Sequence, residues 1–203
     1  MANAAPRYSE PNSAPITHLL GRIAAGDRPA AEELFNAVYD DLRAKARNRI
    51  QKSPDVSLEP TELVHEACLR LMGPAGIAGL SFENRRHLYG SAARAMMQVL
   101  SNHVRDKNAA IRKAPGLRIA LDESVTDAPT SDINILELEG ALVRLDELKP
   151  DLAEIFYLHA LAGLTHEQVG QVIGKGPQTA KQMYAKALGH LRKPDDGQPR
   201  AAG

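Results

Sequence analysis

NRRHLYGSAARAMMQVLSNHVRDKNAAIRK, residues 84–113, decides how the rest of the chain is read. Leu88, Ala92, Ala95, Met96, Val99, Leu100 and Val104 recur at steps of three and four, the spacing of a helix with one buried stripe. Glu83 and Asn84 stand where the first free amides need acceptors, and no proline interrupts until Pro115. Arg85, Arg86, Arg94, Arg105, Lys107, Arg112 and Lys113 fall mostly off the stripe, against one acid, Asp106. The spacing therefore predicts a long helix with its back in a core and a cationic front carrying Tyr89. Such a front suits a polyanion whose bases can stack or be trapped. A solvated basic face is the ordinary alternative for such a helix seen alone.

Outward from that helix, charge is segregated although the formal net charge is zero. Arg85 to Arg118 holds eight basic residues and one acid, a local net of +7. Ile119 to Gly174 holds eleven acids against Arg144 and Lys149, a local net of −9. Lys175 to Lys193 holds five basic residues and no acid. Two cationic blocks around an acidic one suggest two nucleic-acid surfaces with a masking or spacing segment between them.

At 203 residues the chain can hold one or two domains with cores of their own. Tryptophan is absent and Ala and Leu dominate, which favours packed helices, an all-α fold, over a sheet. Cys68 is the single cysteine, so no internal disulfide can form, and its place on a helix suits a small core residue. No metal-ligand spacing appears among the seven histidines, and neither a nucleophile elbow nor a glycine-rich phosphate loop is present. An enzyme is the poorest reading, and no cofactor or metal is expected. Without a signal segment or a long apolar run, the expectation is a soluble, cytoplasmic protein with no membrane insertion.

Along the chain, residues 1–15 read as a disordered lead-in. Helices are expected from about Ile16 to Ala25, from Pro29 to Ile50 after an Asp27 cap, and from near Pro60 through TELVHEACLRLM. With the residue-84 helix these make a bundle of four spanning 16–113, whose outer faces on Glu62–Arg70 and Arg85–Arg105 are left for partners. Residues 114–131 read as a linker, and 132–193 as a second helical domain. In that domain one helix carries Ile135, Leu138, Leu142 and Leu145, and another runs from Pro150 to Gly163. Thr165 and Gln168 then form a capping box, GKGP makes a turn, and Pro177 opens the last helix. That is a helix-turn-helix. Ala180, Met183, Ala187 and Leu191 are expected inward, and Gln178, Thr179, Lys181, Gln182 and Lys186 outward, where they can touch bases or phosphates. An ordinary helical hairpin is the plainer alternative. Residues 194–203 read as a disordered tail.

Taken in order, LEPTELVHEACLRLM, NRRHLYGSAARAMMQVLSNHVRDK and GLTHEQVGQVIGKGPQTAKQMYAKALGHL resemble the extracytoplasmic-function (ECF) group of bacterial RNA polymerase sigma factors. The likeness covers about Ile16 to Lys193. It implies a region 2-like bundle, a linker and a region 4-like helix-turn-helix, acting on promoter DNA only when bound to core RNA polymerase. The resemblance assigns Glu62, Leu63, Val64, Glu66, Leu69 and Arg70 to the clamp coiled coil of the largest polymerase subunit. It assigns Phe82, Arg85, Arg86, Tyr89, Arg94, Asn102 and Arg105 to the minus-ten element, where flipped bases are held. Gln178, Thr179, Lys181, Gln182 and Lys186 would meet the minus-thirty-five duplex. Melting costs on the order of a kcal/mol or more per base step, so a surface that holds unstacked bases biases DNA towards opening. Acids such as Asp122, Glu123 and Asp127 would lie near the RNA exit path.

Two departures from the family pattern stand out. Where relatives carry a serine cap and an arginine in a pattern like "GVSPRTVK", this chain has Gly176 and Gln178, a weaker cap and one cation fewer. Where many relatives carry paired acids before "LV", it has Thr61 and Glu62. Phosphorylation of Thr61 by a Ser/Thr kinase would restore the missing charge; the plainer reading is that Thr61 starts the helix. An anti-sigma factor is another expected regulator. A stand-alone helix-turn-helix regulator and a degenerate sigma-like protein that binds without initiating transcription remain alternatives.

Overall fold

The computed structural model describes residues 13–50, 58–79, 82–110, 118–119 and 133–192. Among them the chain is a succession of helices: α1 (Ser13–Ala24), α2 (Pro29–Ile50), α3 (Pro60–Met72), a 3₁₀ segment (Gly73–Gly79) and α4 (Arg85–Ala110). After these come α5 (Ile135–Leu148), α6 (Pro150–Phe156), a π-helical turn (Tyr157–Leu161), α7 (His166–Ile173) and α8 (Pro177–Leu191). Two short strands, β1 (Arg118–Ile119) and β2 (Ile133–Asn134), pair antiparallel and clip together the ends of the expected linker. Residues 1–12 of the expected lead-in, the tail and most of the linker, with Asp122, Glu123, Asp127, Arg112 and Lys113, lie outside the described residues. Residues 13–15, expected in the lead-in, instead form the start of α1, where a first turn tolerates Pro15.

Local chemistry sets the helix boundaries. The Arg22 guanidinium reaches Asp27 at 2.7 Å and Glu33 at 2.8 Å, tying α1 to the start of α2. At α4, Asn84 Oδ1 accepts from the His87 amide at 2.9 Å, supplying the cap that the sequence suggests. Asn134 caps α5 in the same way. Thr165 and Gln168 close their capping box on α7 with hydrogen bonds of 3.2 and 3.0 Å. Gly174, at φ 69°, ends α7 in the left-handed region where glycine meets no Cβ penalty. The expected single helix from Pro150 to Gly163 widens instead into a π turn after Phe156, where Ala162 N–H donates to Tyr157 O. That widening lets buried His159 donate from Nδ1 to the Leu164 carbonyl at 2.7 Å while stacking on His166.

The core does not divide at the linker. Buried side chains from Ile16 on α1 to Leu191 on α8 form one continuous apolar cluster. Helix α4 sits at its centre, packed by α3 on one side and by α5 and the π turn on the other. Every residue of its expected stripe is buried, but so are Tyr89, Gly90, Ala93, Met97 and Ser101. At 100° per residue, Gly90, Ala93, Met97 and Ser101 make a second stripe that faces the carboxy-terminal helices. A helix that works on two sides needs two stripes, and its residue types show the difference: the second is small and flexible.

Candidate nucleic-acid and polymerase interfaces

On α3, Pro60 occupies the first helical position after Glu59, so Thr61 is the second helical residue rather than the cap. Its Oγ1 accepts from Arg43 Nε on α2 at 3.2 Å, which puts a guanidinium beside an exposed hydroxyl at a helix start. Glu62, Glu66, Leu69 and Arg70 are exposed, and Leu69, half exposed, is the apolar centre of that charged strip. Leu63 and Val64 point the other way, into the core, at 1% and 0% exposure. As the helix period requires, these two hold α3 on the bundle while the other four form the outward face.

On α4 the expected minus-ten set divides. Tyr89 is buried, correcting the expectation of an exposed aromatic on the cationic front. Its hydroxyl donates to Asp41 on α2 at 2.9 Å, and burial and that carboxylate push its pKa up. The reason is positional: Tyr89 follows Leu88 at the inner edge of the stripe, and its hydroxyl finds a partner without leaving the core. Phe82 is half-buried and packs edge-on against His87. Asn102 accepts from Arg105 Nη1 at 3.1 Å.

The α4 arginines are exposed at their rims but engaged, which corrects the expectation that this face stands free. Arg86 grips the Glu154 carboxylate of α6 with Nε, at 2.6 Å, and with Nη2, and lies 3.8 Å from Asp151. Arg94 reaches Asp146 of α5 at 3.3 Å, its guanidinium 4.8 Å from the centre of the Tyr157 ring. Arg105 pairs with Glu139 of α5. Arg85 packs over the Tyr89 ring, 5.9 Å from its centre. The sequence reading missed Glu139, Asp146, Glu154 and Tyr157 as neighbours of this face. The signal was available in the acidic block, but nothing in helical spacing says which acid meets which arginine. Burial raises the pKa of Tyr157, and nearby Arg94 works against that rise.

On α8 the expected outward set is wholly exposed. Gln178, Thr179, Lys181, Gln182 and Lys186 face solvent, with no ion pair to any of them among the described residues. Ala180, Ala187 and Leu191 are buried as expected. Met183 is only half-buried, and the inner place goes to Tyr184, stacked against Phe156 with centroids 6.1 Å apart. Gly176 stands at the cap of α8 without a side-chain bond. Gly170 of α7 lies against the turn so closely that a Cβ there would meet Lys175 O at 2.6 Å.

Among the described residues no group of three or more His, Cys, Asp or Glu could hold a metal ion. None of their helices is long and apolar enough to cross a membrane.

Comparison with known proteins covers both halves of this arrangement. The chain is similar to "ECF RNA polymerase sigma factor ShbA" of Streptomyces griseus, 24% identical over 186 residues, 87% of this chain and 93% of the relative. No solved structure matches it. The model of the ECF sigma factor family matches residues 13–193, from the start of α1 to just past α8. The chain belongs to that family and is an RNA polymerase sigma factor of the extracytoplasmic-function type.

Proposed function

We propose that this sigma factor divides its work among three helices. The outward face of α3, with Leu69 among Glu62, Glu66 and Arg70, docks on the clamp coiled coil of the largest polymerase subunit. Leu63 and Val64 serve that contact from behind, by fixing how α3 lies on the bundle. The α4 face, with Arg85, Arg86, Arg94, Asn102, Arg105 and the half-buried Phe82, holds the opened minus-ten strand through its phosphates and unstacked bases. Helix α8 enters the major groove of the minus-thirty-five duplex, Gln178 and Gln182 towards base edges, Lys181 and Lys186 on phosphates, Thr179 on either. Tyr89 has no direct DNA role in this scheme.

The observation that carries this reading is the exposure of all five polar and basic residues on one face of α8, behind a tight glycine turn. Core polymerase joined to labelled promoter duplexes in the presence of the chain provides the test. Lys181→Ala and Gln182→Ala should each weaken duplex capture by the holoenzyme about tenfold, Gln182→Ala altering sequence preference and Lys181→Ala weakening all sequences alike. Equal capture by both variants and wild type would reject the assignment. A gel shift without polymerase separates the stand-alone regulator, which would bind duplex unaided. The family match across both halves does not favour that alternative.

Regulation by a kinase belongs to the same reading. A phosphate on Thr61 would add about −1.5 to −2 charge in the first turn of α3, beside Arg43. Core-polymerase affinity should then rank Thr61→Glu above Thr61→Ala. Equal affinity for both and for the phosphorylated chain would remove the switch. An anti-sigma factor would have to cover either the α3 strip or the α8 face, and loss of one of these contacts on its addition is the corresponding test.

A further inference from the structure

We infer that the stacked imidazoles of His159 and His166 make the recognition helix α8 acid-sensitive, holding it in place for duplex DNA at neutral pH and loosening it when a ring takes a proton. The inference rests on the reading of α8 as the minus-thirty-five reader. His159, 4% exposed, turns inward from the π turn and donates from Nδ1 to Leu164 O at 2.7 Å. Leu164 N–H donates back to Leu158 O at 3.1 Å. These two bonds fix the corner from which Thr165 caps α7. His166, half-buried and the first residue of α7, lies nearly parallel to the His159 ring, with centroids 4.1 Å apart and planes at 17°. Tyr184 of α8, fully buried, meets His159 edge-on at 4.4 Å and His166 at 5.7 Å, and it also stacks on Phe156 of α6. Four rings thus tie α6, the π turn, α7 and α8 to one point. Tyr184 stands two residues from Gln182 and three from Lys181, so a shift at that point moves the residues that face DNA.

While both rings are neutral they pack as an ordinary aromatic pair. A proton on His159 puts a charge inside the core, and a proton on each ring sets two like charges 4.1 Å apart. His166 meets a further obstacle, the positive end of the helix dipole at the start of α7. Of the charged groups on the elements around the rings, Glu167 favours a cation on His166 but is exposed and screened. Asp151 and Glu154 of α6 face Arg86, and Arg94 of α4 pairs with Asp146 over the Tyr157 ring. Lys181 and Lys186 of α8 are exposed on the DNA side. An imidazole in water takes its proton near pH 6.5. At about pH 5.0 a loosened arrangement that admits one proton therefore gains about thirtyfold on a closed stack that admits none, and more when both rings are charged. The contribution of the stack is fully present above about pH 6.5 and is lost as pH falls.

Two readouts at about pH 7.5 and about pH 5.0 test this, one either side of the ordinary histidine value. One is capture of a labelled promoter duplex by preformed holoenzyme; the other is hydrogen exchange of the full chain, corrected for the intrinsic pH dependence of exchange. Wild-type capture should fall about threefold or more on acidification. The ordinary trend runs the other way, since protonation of an exposed histidine such as His190 on α8 strengthens binding to DNA. Amides of α7 and α8 should lose protection while those of α2 and α3 keep theirs. His166→Phe keeps a ring against His159 that takes no proton, and His159→Asn keeps a donor for Leu164 O. The double variant should no longer lose capture as pH falls; if it does not fold, the wild-type exchange pattern decides. Equal protection of α7 and α8 at both pH values, or a folded double variant whose capture falls as steeply as wild type, would overturn the switch and leave α8 as the duplex reader. Loosening of α7 and α8 in a wild-type chain whose capture does not fall would overturn the reading of α8, and control of DNA binding by the stack falls with it.

Discussion

Replacing Gly170 by alanine places a methyl group 2.6 Å from Lys175 O, 3.1 Å from Gly176 C and 3.2 Å from Pro177 N. All three obstacles are backbone, and none can swing aside as a side-chain tip would. The same turn is held by Lys175 N–H donating to Gly170 O at 2.8 Å, so the added carbon pushes on the bond that closes α7. Overpacking of this kind costs about 1–3 kcal/mol, and an obstacle made only of backbone places it in the upper half of that range. Alanine returns about 1 kcal/mol of helix propensity over glycine. The net is about 1–2 kcal/mol of destabilisation, a fall of roughly 2–8 °C in Tm for a chain of this length. Gly189, on α8 with open space where its Cβ would sit, is the matched control. Gly189→Ala should hold or raise Tm, gaining about 0.5–1 kcal/mol. Thermal melts followed by far-ultraviolet circular dichroism compare the two, and promoter duplex capture by the holoenzyme reads the tilt of α8. Gly170→Ala should lose capture at temperatures where it is still folded. If both variants shift Tm in the same direction, or Gly170→Ala melts and captures duplex as wild type does, the close approach of α7 to its turn is not real.

Tyr89→Phe should cost about 1–2 kcal/mol in a denaturant titration, through the lost hydrogen bond to Asp41, yet leave binding of melted DNA unchanged; weakened binding at unchanged stability would return Tyr89 to the DNA face. Alkaline titration should show the buried phenols as well. Tyr89 and Tyr157 have raised pKa values in the folded chain, so the folded state keeps protons that the unfolded chain gives up above about pH 10. Their contribution is fully present below that pH and is lost as pH climbs towards the folded values, and Tyr89→Phe should flatten the decline. Leu69→Ala should change stability by less than about 0.5 kcal/mol, since the side chain is half exposed. It should weaken core-polymerase association about tenfold or more if Leu69 is the apolar anchor of the docking strip; association at wild-type strength would exclude it.

Most helix boundaries were legible in the sequence because their signals are local: Pro29, Pro60, Pro150 and Pro177 at first positions, Asn84 and Thr165 at caps, Gly174 at a stop. The α8 surface was legible for the same reason, since Gln178, Lys181 and Gln182 alternate with buried Ala180 and Tyr184 at helical spacing. The family resemblance added the order and roles of the helices. Four features were not legible. Tyr89 looked outward because a phenol beside arginines can serve either a core or a surface; its partner Asp41 is 48 residues away, which no local pattern reports. The second stripe of α4 was hidden in glycine, alanine, methionine and serine, residues that no hydropathy contrast marks. The seam between the halves was visible only as opposite charge on two blocks, +7 and −9, without register. The pairing of Arg86 with Glu154 depends on how α6 folds back, a tertiary fact. The π turn at Tyr157–Leu161 belongs with these, because His159 turns inward to a carbonyl set by the next element.

Run-off transcription on a library of promoter fragments, with core polymerase alone and with the chain added, is the most direct measurement. The expected result is a set of discrete transcripts from shared upstream elements that appears only with the chain. It should be lost in the Arg86→Ala, Arg94→Ala double variant, and the same double variant should still associate with core polymerase. Transcripts that are the same with and without the chain, or start sites sharing no upstream element, would contradict promoter selection by these helices.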